Sequence, residues 1–381
     1  MKFSTKAVHV GQEPEETTGA VVPPVFLTST YAQEAPAEFK EYDYTRAGNP
    51  NFTRLEQTLA ALEQGGHATV FSSGLGALTA ILSTLSSGDK IVAVDDLYGG
   101  SYRLFTKVFE RFGVEAAFIP MQDLDTVDAA LAARPKMVFI ETPTNPLLRI
   151  VDVAAVAERA QAAGALSVVD NTFSSPYFQN PLVLGADIVW HSSTKYIGGH
   201  SDVIGGAVIC NDAEFNQAVG FARMAVGLNP SPFDVWLLSR SIKTLAVRME
   251  RHAENAAAVV EFLSSHPRVK KVYYPGLESH EGHAIAAAQM SGFSGIVSAE
   301  FDLPLERAKS FISSLRVFTL AESLGGVESL VDHPATMTHA SIPAAEREKV
   351  GLTDGLVRFS VGIEDAEDLV ADLDEGIERV S

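Results

Sequence analysis

Two short segments hold residue types that can do chemistry together. Val168-Val169-Asp170-Asn171-Thr172 ends an apolar run on a carboxylate, and Ser192-Ser193-Thr194-Lys195-Tyr196 sets a lysine after hydroxyl residues, just beyond Ile188-Val189-Trp190. A lysine amine condenses with a carbonyl to a Schiff base, and a carboxylate keeps a pyridine nitrogen protonated so that the ring withdraws electrons. An acid and a lysine, each at the carboxyl end of a buried strand, are the pair that pyridoxal-phosphate chemistry requires. A lysine on its own is more often a solvated surface charge, so the neighbouring motifs carry the argument.

Ser72-Ser73-Gly74-Leu75 places a glycine between a strand-like run and a helical one. Such a turn reads either as an anion site, where free N–H groups and the helix dipole meet, or as an ordinary helix cap. No Gly-Lys-Ser/Thr follows, so it is not a P-loop. Tyr44-Thr45-Arg46-Ala47-Gly48-Asn49-Pro50 could grip a phosphate through its arginine or be a solvated turn. Tyr98, in Tyr98-Gly99-Gly100, follows the run 91–94 and can either stack on a flat ring or line a rim. Arg358 interrupts the strand-like Val357-Arg358-Phe359-Ser360-Val361, so its charge needs a partner, either a substrate carboxylate or a structural salt bridge. His280 and His283 are three apart, where the two-histidine zinc helix needs four, and no metal site is read there.

The elements that must position these residues follow from periodicity. Apolar runs at 68–71, 91–94, 137–140, 166–169, 188–190 and 203–209 alternate with helical stretches such as 127–133 and 153–163. Continuous apolar strands between helices predict a buried, mostly parallel sheet, with ligands at the strands' carboxyl ends. Asp95-Asp96, Glu141, Asp170 and His191-Ser192 collect at those ends. Beyond about residue 240, a helix over 240–265, strands at 269–274, 296–301 and 356–361, and helices at 305–315 and 365–380 predict a smaller α+β domain. The organisation is an arm over 1–45, a cofactor domain over 46–240 and a C-terminal domain over 241–381. The arm is too polar to fold alone and is expected to wrap a partner subunit.

Composition bounds the function. The chain has 381 residues, a formal net charge of −19 and one cysteine, Cys210. The acidity argues against nucleic acid, since Arg268, Lys270 and Lys271 are too few for a phosphate footprint. One cysteine excludes an internal disulfide and a thiolate metal cluster. No signal design opens the chain and no apolar window reaches membrane-spanning length, so a cytoplasmic protein with no membrane partner is expected.

Together these segments resemble the transsulfuration branch of pyridoxal-phosphate enzymes: cystathionine γ-lyase, cystathionine γ-synthase and methionine γ-lyase. The likeness covers about 5–378, through blocks at 44–50, 73–75, 96–103, 141–146, 170–176, 192–202, 319–330, 337–342 and 358–365. One departure is Asn51-Phe52, where relatives carry Thr-Arg. The resemblance implies an α/β, fold-type I transferase with pyridoxal 5'-phosphate as cofactor and an amino acid as substrate. It further implies a homotetramer, a dimer of dimers, with active sites shared between subunits. Lys195 is implied as Schiff-base lysine and proton shuttle, Asp170 as pyridinium partner and Tyr98 as stacking residue. Gly74, Leu75, Ser192 and Thr194 would hold the phosphate, joined by Tyr44 and Arg46 of the neighbouring subunit. Asn145, Ser323 and Arg358 would hold the substrate α-carboxylate.

Within the branch, methionine γ-lyases carry cysteine where this chain has Gly100. Arg103 suits a distal carboxylate and Glu322 a distal ammonium, so a zwitterionic γ-substituent fits better than a methylthio group. The expected reaction is γ-elimination of cystathionine to cysteine, 2-oxobutyrate and ammonia, with hydrogen sulfide release from cysteine as a further activity. γ-Replacement of an acylated homoserine by cysteine is the alternative. Methionine γ-lyase and a non-catalytic scaffold are disfavoured, the latter because Lys195 and Asp170 are both present.

Overall fold

The computed structural model describes residues 1–338 and 351–380. Residues 339–342 of the block 337–342, and the corresponding part of the C-terminal segment, lie outside the described residues.

Seven short strands make the larger sheet: β1 (His67–Phe71), β2 (Lys90–Val94), β3 (Glu115–Ile119), β4 (Met137–Glu141), β5 (Leu166–Asp170), β6 (Ile188–His191) and β7 (Gly206–Cys210). Their order is β1-β7-β6-β5-β4-β2-β3. Neighbours from β3 to β6 pair in parallel, whereas β7 runs antiparallel to both β6 and β1. The expected mostly parallel sheet is thus present.

Helices cover both faces, which is why the strands read as unbroken apolar runs. Successive side chains point to opposite faces. Ile188 and Trp190 accordingly join the core around Leu78, Phe139 and Val168, while Val189 joins the one around Phe52, Leu55 and Leu238. Register then fixes the functional edge. Glu141 lies opposite Asp170, and Asp170 opposite Trp190. The ends of β4, β5 and β6 therefore finish level, with Lys195 in the turn after β6.

The helix Leu245–Ser265 leads to a second sheet of β8 (Val269–Tyr273), β9 (Ile296–Phe301), β10 (Thr319–Leu320), β11 (Leu330–Asp332) and β12 (Leu356–Ser360), in the order β10-β11-β12-β9-β8. Helices Leu305–Ser314 and Ala366–Val380 pack against it through Phe311, Leu369, Leu373 and Ile377, which meet Phe301, Phe318 and Phe359.

Four features depart from the sequence reading. β3 was not expected, because it is a half-buried edge strand with alanines where β-branched residues would mark it. β10 and β11 have two and three residues, too few to carry a period. β7 starts at Gly206 rather than at 203. The start of the arm is not a free strap. Helix Phe3–His9 buries Ala7 completely, Thr58 Oγ1 donates to Val10 O at 2.6 Å, and Trp236 Nε1 donates to Pro23 O at 2.9 Å. Side chains from beyond the arm also hold the carbonyls of Gly11, Glu13 and Pro24, the last through Asn51 Nδ2 at 2.9 Å. No helix among the described residues is long and apolar enough to cross a membrane.

Candidate active site

Lys195 Nζ donates to Ser323 Oγ at 2.7 Å. Burial, and next the Arg358 guanidinium, push its pKa down to about 8. Asp170 ends β5 with its carboxylate buried, and burial raises its pKa to about 6. Thr172 joins the two loops: its N–H donates to Asp170 Oδ1 at 3.0 Å, and its Oγ1 accepts from Ser192 N at 2.9 Å. Behind Asp170, Glu63 Oε1 meets Asn171 Nδ2 at 2.7 Å and His191 Nε2 at 2.5 Å, all three residues being fully buried.

The turn after β1 fulfils both of its readings. Ser73 Oγ caps the helix Gly74–Leu82 by accepting from Gly76 N at 2.9 Å. The N–H groups of Gly74 and Leu75 have no acceptor among the described residues. Trp190 Nε1 donates to Gly74 O at 2.7 Å, docking this turn on β6. A Cβ at Gly74 would lie 2.9 Å from Ser192 Cβ and 3.0 Å from its Cα, so it would fill the cradle between the two segments. Thr194 Oγ1 already exchanges bonds with Gly205, accepting from its N–H at 3.0 Å and donating to its carbonyl at 3.2 Å.

Arg358 has a structural partner. It faces Asp332 across β11 and β12, and the two pair with side chains 2% exposed. Its Nη1 also donates to Asn145 Oδ1 at 2.7 Å and its Nη2 to Ser323 O at 2.9 Å, while Nε has no partner among the described residues. Ser323 holds this position with φ +106°, a conformation rare for a residue with a Cβ and concentrated at functional sites.

A cavity of about 900 Å³ opens on these groups. Its wall contains Gly74, Leu75, Tyr98, Asn145, Asp170, Ser192, Thr194, Lys195, Glu322, Ser323 and Arg358. Three expected residues stand apart from it within one subunit. Tyr44 and Arg46 line a separate hollow of about 490 Å³, where Arg46 Nη1 donates to Met224 O at 2.9 Å. Arg103 is exposed on the short helix Gly99–Arg103 and is not in the wall. Sequence reasoning assigned no role to Glu63, Glu141 or Asp332: the partners of Glu63 and Asp332 lie far away in the chain, and of Glu141's two partners Tyr98 lies 43 residues away while Asn145 is near.

Residues 4–378 match the family described as Cys/Met metabolism PLP-dependent enzyme. The chain belongs to that family. A cystathionine beta-lyase of Lactococcus lactis subsp. cremoris is 50% identical over 378 residues, covering 99% of each chain. A cystathionine gamma-lyase of Bacillus subtilis (strain 168) is 48% identical over the full length of both. A crystal structure of cystathionine gamma synthase from Xanthomonas oryzae pv. oryzae in complex with cystathionine matches with a TM-score of 0.97 at 47% identity, covering 100% of this chain and 98% of that one. The protein is a PLP-dependent transsulfuration enzyme, and pyridoxal phosphate is its cofactor.

The residues present fit that group. The two free N–H groups at the Gly74 turn, beside the Ser192 hydroxyl, match a phosphate's acceptors. Asp170 can hold a protonated pyridine nitrogen, and the half-exposed Tyr98 lines the same cavity.

Proposed function

We propose that this enzyme is a cystathionine γ-lyase, cleaving cystathionine to cysteine, 2-oxobutyrate and ammonia. The observation that carries the reading is the acidic wall beyond the lysine. Glu322 adjoins Ser323, which accepts from Lys195 Nζ, and lines the same cavity, so a carboxylate is available there for a second ammonium group. A methylthio group would gain nothing there. Gly100 adds to this: a Cβ at that position would stand 2.2 Å from Tyr98 Cε1, so a cysteine there would displace the stacking ring.

In this reading Arg358, with Asn145 and the Ser323 segment, orients the α-carboxylate. When bound, the cofactor supplies a conjugated sink for the electron pair left at Cα, and Asp170 keeps that sink cationic. Lys195 takes the Cα proton, and its lowered pKa places the amine between acid and base near neutral pH. The same amine then takes a proton from Cβ, the electron pair released there forms the Cβ–Cγ double bond, and the thiolate expelled from Cγ takes back one of the two protons removed and leaves as cysteine. Tyr44 and Arg46 reach the phosphate from a second subunit, in a tetramer built as a dimer of dimers.

The relatives' names span three outcomes on related substrates, so the test is product identity. Purified holoenzyme given cystathionine alone should release 2-oxobutyrate and cysteine. Pyruvate and homocysteine would instead mark cleavage at Cβ. Net formation of cystathionine from cysteine and an acylated homoserine, without cleavage, would mark the γ-synthase reading.

A further inference from the structure

Glu141 is a carboxyl in the cavity wall that neither the cofactor's pyridine nitrogen nor the distal ammonium employs. It ends β4 directly opposite Asp170, and its side chain is buried. Both of its oxygens are engaged by backbone. Oε2 accepts from Tyr98 N at 2.9 Å, and Oε1 accepts from Asn145 N at 3.1 Å. Tyr98 is 43 residues earlier in the chain, so this bond is tertiary and not part of a local turn. Asn145 in turn accepts from Arg358 Nη1 at 2.7 Å.

One side chain therefore joins the loop bearing the ring-facing tyrosine to the loop bearing the carboxylate-binding asparagine, at the level of Asp170. Burial, and next the charge of Asp170, hold the Glu141 carboxyl well above the usual carboxylate range. A fold that needed only packing here would place an apolar residue at the end of β4, as it does along the rest of that strand.

We propose that Glu141 is a positioning residue, fixing Tyr98 and Asn145 relative to each other so that cofactor ring and substrate carboxylate are gripped in one geometry. The proposal rests on reading the cavity as the pyridoxal-phosphate site. Glutamine at 141 is isosteric but brings an N–H₂ group against one of the two backbone N–H donors, so one of the ties must break. Displacements of about 1 Å at such a site cost on the order of 10²-fold in rate.

Glu141→Gln holoenzyme should show a kcat/KM about 10²-fold lower, with KM raised about tenfold through the Asn145–Arg358 link. It should also show an altered visible circular-dichroism band of the bound cofactor, because the ring seat at Tyr98 moves. Combining it with Asn145→Ala should cost less than the product of the single effects, since the two act through one contact. A variant that only melts earlier, with kcat, KM and the dichroism band of the wild type, would overturn the proposal and leave Glu141 a structural group. If E141Q gives no soluble protein, E141D carries the same expectations, because it withdraws both oxygens by one methylene. The dichroism band needs no substrate, so it still decides the point if cystathionine proves not to be the substrate.

Discussion

Lys195 sits where a charge is disfavoured, and its behaviour should reveal this. An ordinary lysine gives up its proton near 10.5, whereas burial lowers that of Lys195 to about 8. Only the neutral amine is a nucleophile, so the depressed value makes it reactive at lower pH, not higher. Apoprotein mixed with pyridoxal phosphate should form its visible band about tenfold faster per pH unit up to about 8, then level off. A rate still climbing at pH 10 would place the reacting amine on a surface lysine. Lys195→Ala should abolish turnover while still retaining the cofactor non-covalently. Asp170 shifts the opposite way: its carboxylate becomes neutral as pH falls through about 6, so equilibrium cofactor affinity should drop there. Asp170→Asn should remove that step in a binding titration. Glu322 lines the cavity but is exposed, so Glu322→Val should lower the rate on cystathionine relative to small γ-substituted amino acids only about fivefold, since an exposed ion pair is worth ~0.2–1 kcal/mol. Arg103→Leu should change that ratio far less, because Arg103 is outside the wall. Lys195, Asp170 and Gly74 were legible in the sequence because each ends or follows a strand within a few residues. Asp332 was not, because its partner is Arg358 on a neighbouring strand and nothing local marks the pair.

At the scale of elements, the site is a meeting of strand ends with one helix start, and the contact is tight. The Gly74 turn touches the β6 loop so closely that any Cβ collides with Ser192 backbone and side chain. Gly74→Ala should therefore spread the cradle, weakening cofactor binding while leaving the sheet intact. The outcome to measure is a fall in cofactor affinity with far-ultraviolet circular dichroism unchanged; unaltered affinity would mean that the phosphate sits elsewhere. Ser73→Ala should act through the helix itself, removing the cap on Gly76 N at a cost of ~1 kcal/mol in stability. The buried strands β1, β2, β4, β5 and β6 were readable because helices on both faces force an unbroken apolar run. The edge strand β3 faces solvent on part of its surface and loses that signature. β10 and β11 owe their existence to pairing beside β12, which a two- or three-residue segment cannot announce.

At the scale of the whole molecule, the proposal is that its outside carries half of a second site. Tyr44 and Arg46 line their own hollow, which Asn229 and Pro232 border, and neither reaches the cavity of Lys195. Leu27, Val226 and Phe233 are exposed on segments bordering that hollow, and apolar groups gathered at such a place call for a cover. A second copy related by a two-fold axis would supply it, and isologous pairing would make two equal composite sites. Subunit mixing tests this. Chains with Arg46→Ala and chains with Lys195→Ala should each be nearly inactive alone. If Arg46 serves the partner's site, each mixed dimer contains one site with both lesions and one with neither. Equal amounts reassorting at random give mixed dimers in about half of all pairs, so activity should recover to roughly a quarter of wild type. If Arg46 served its own subunit, every site would keep one lesion, and no activity would return even with subunit exchange demonstrated independently.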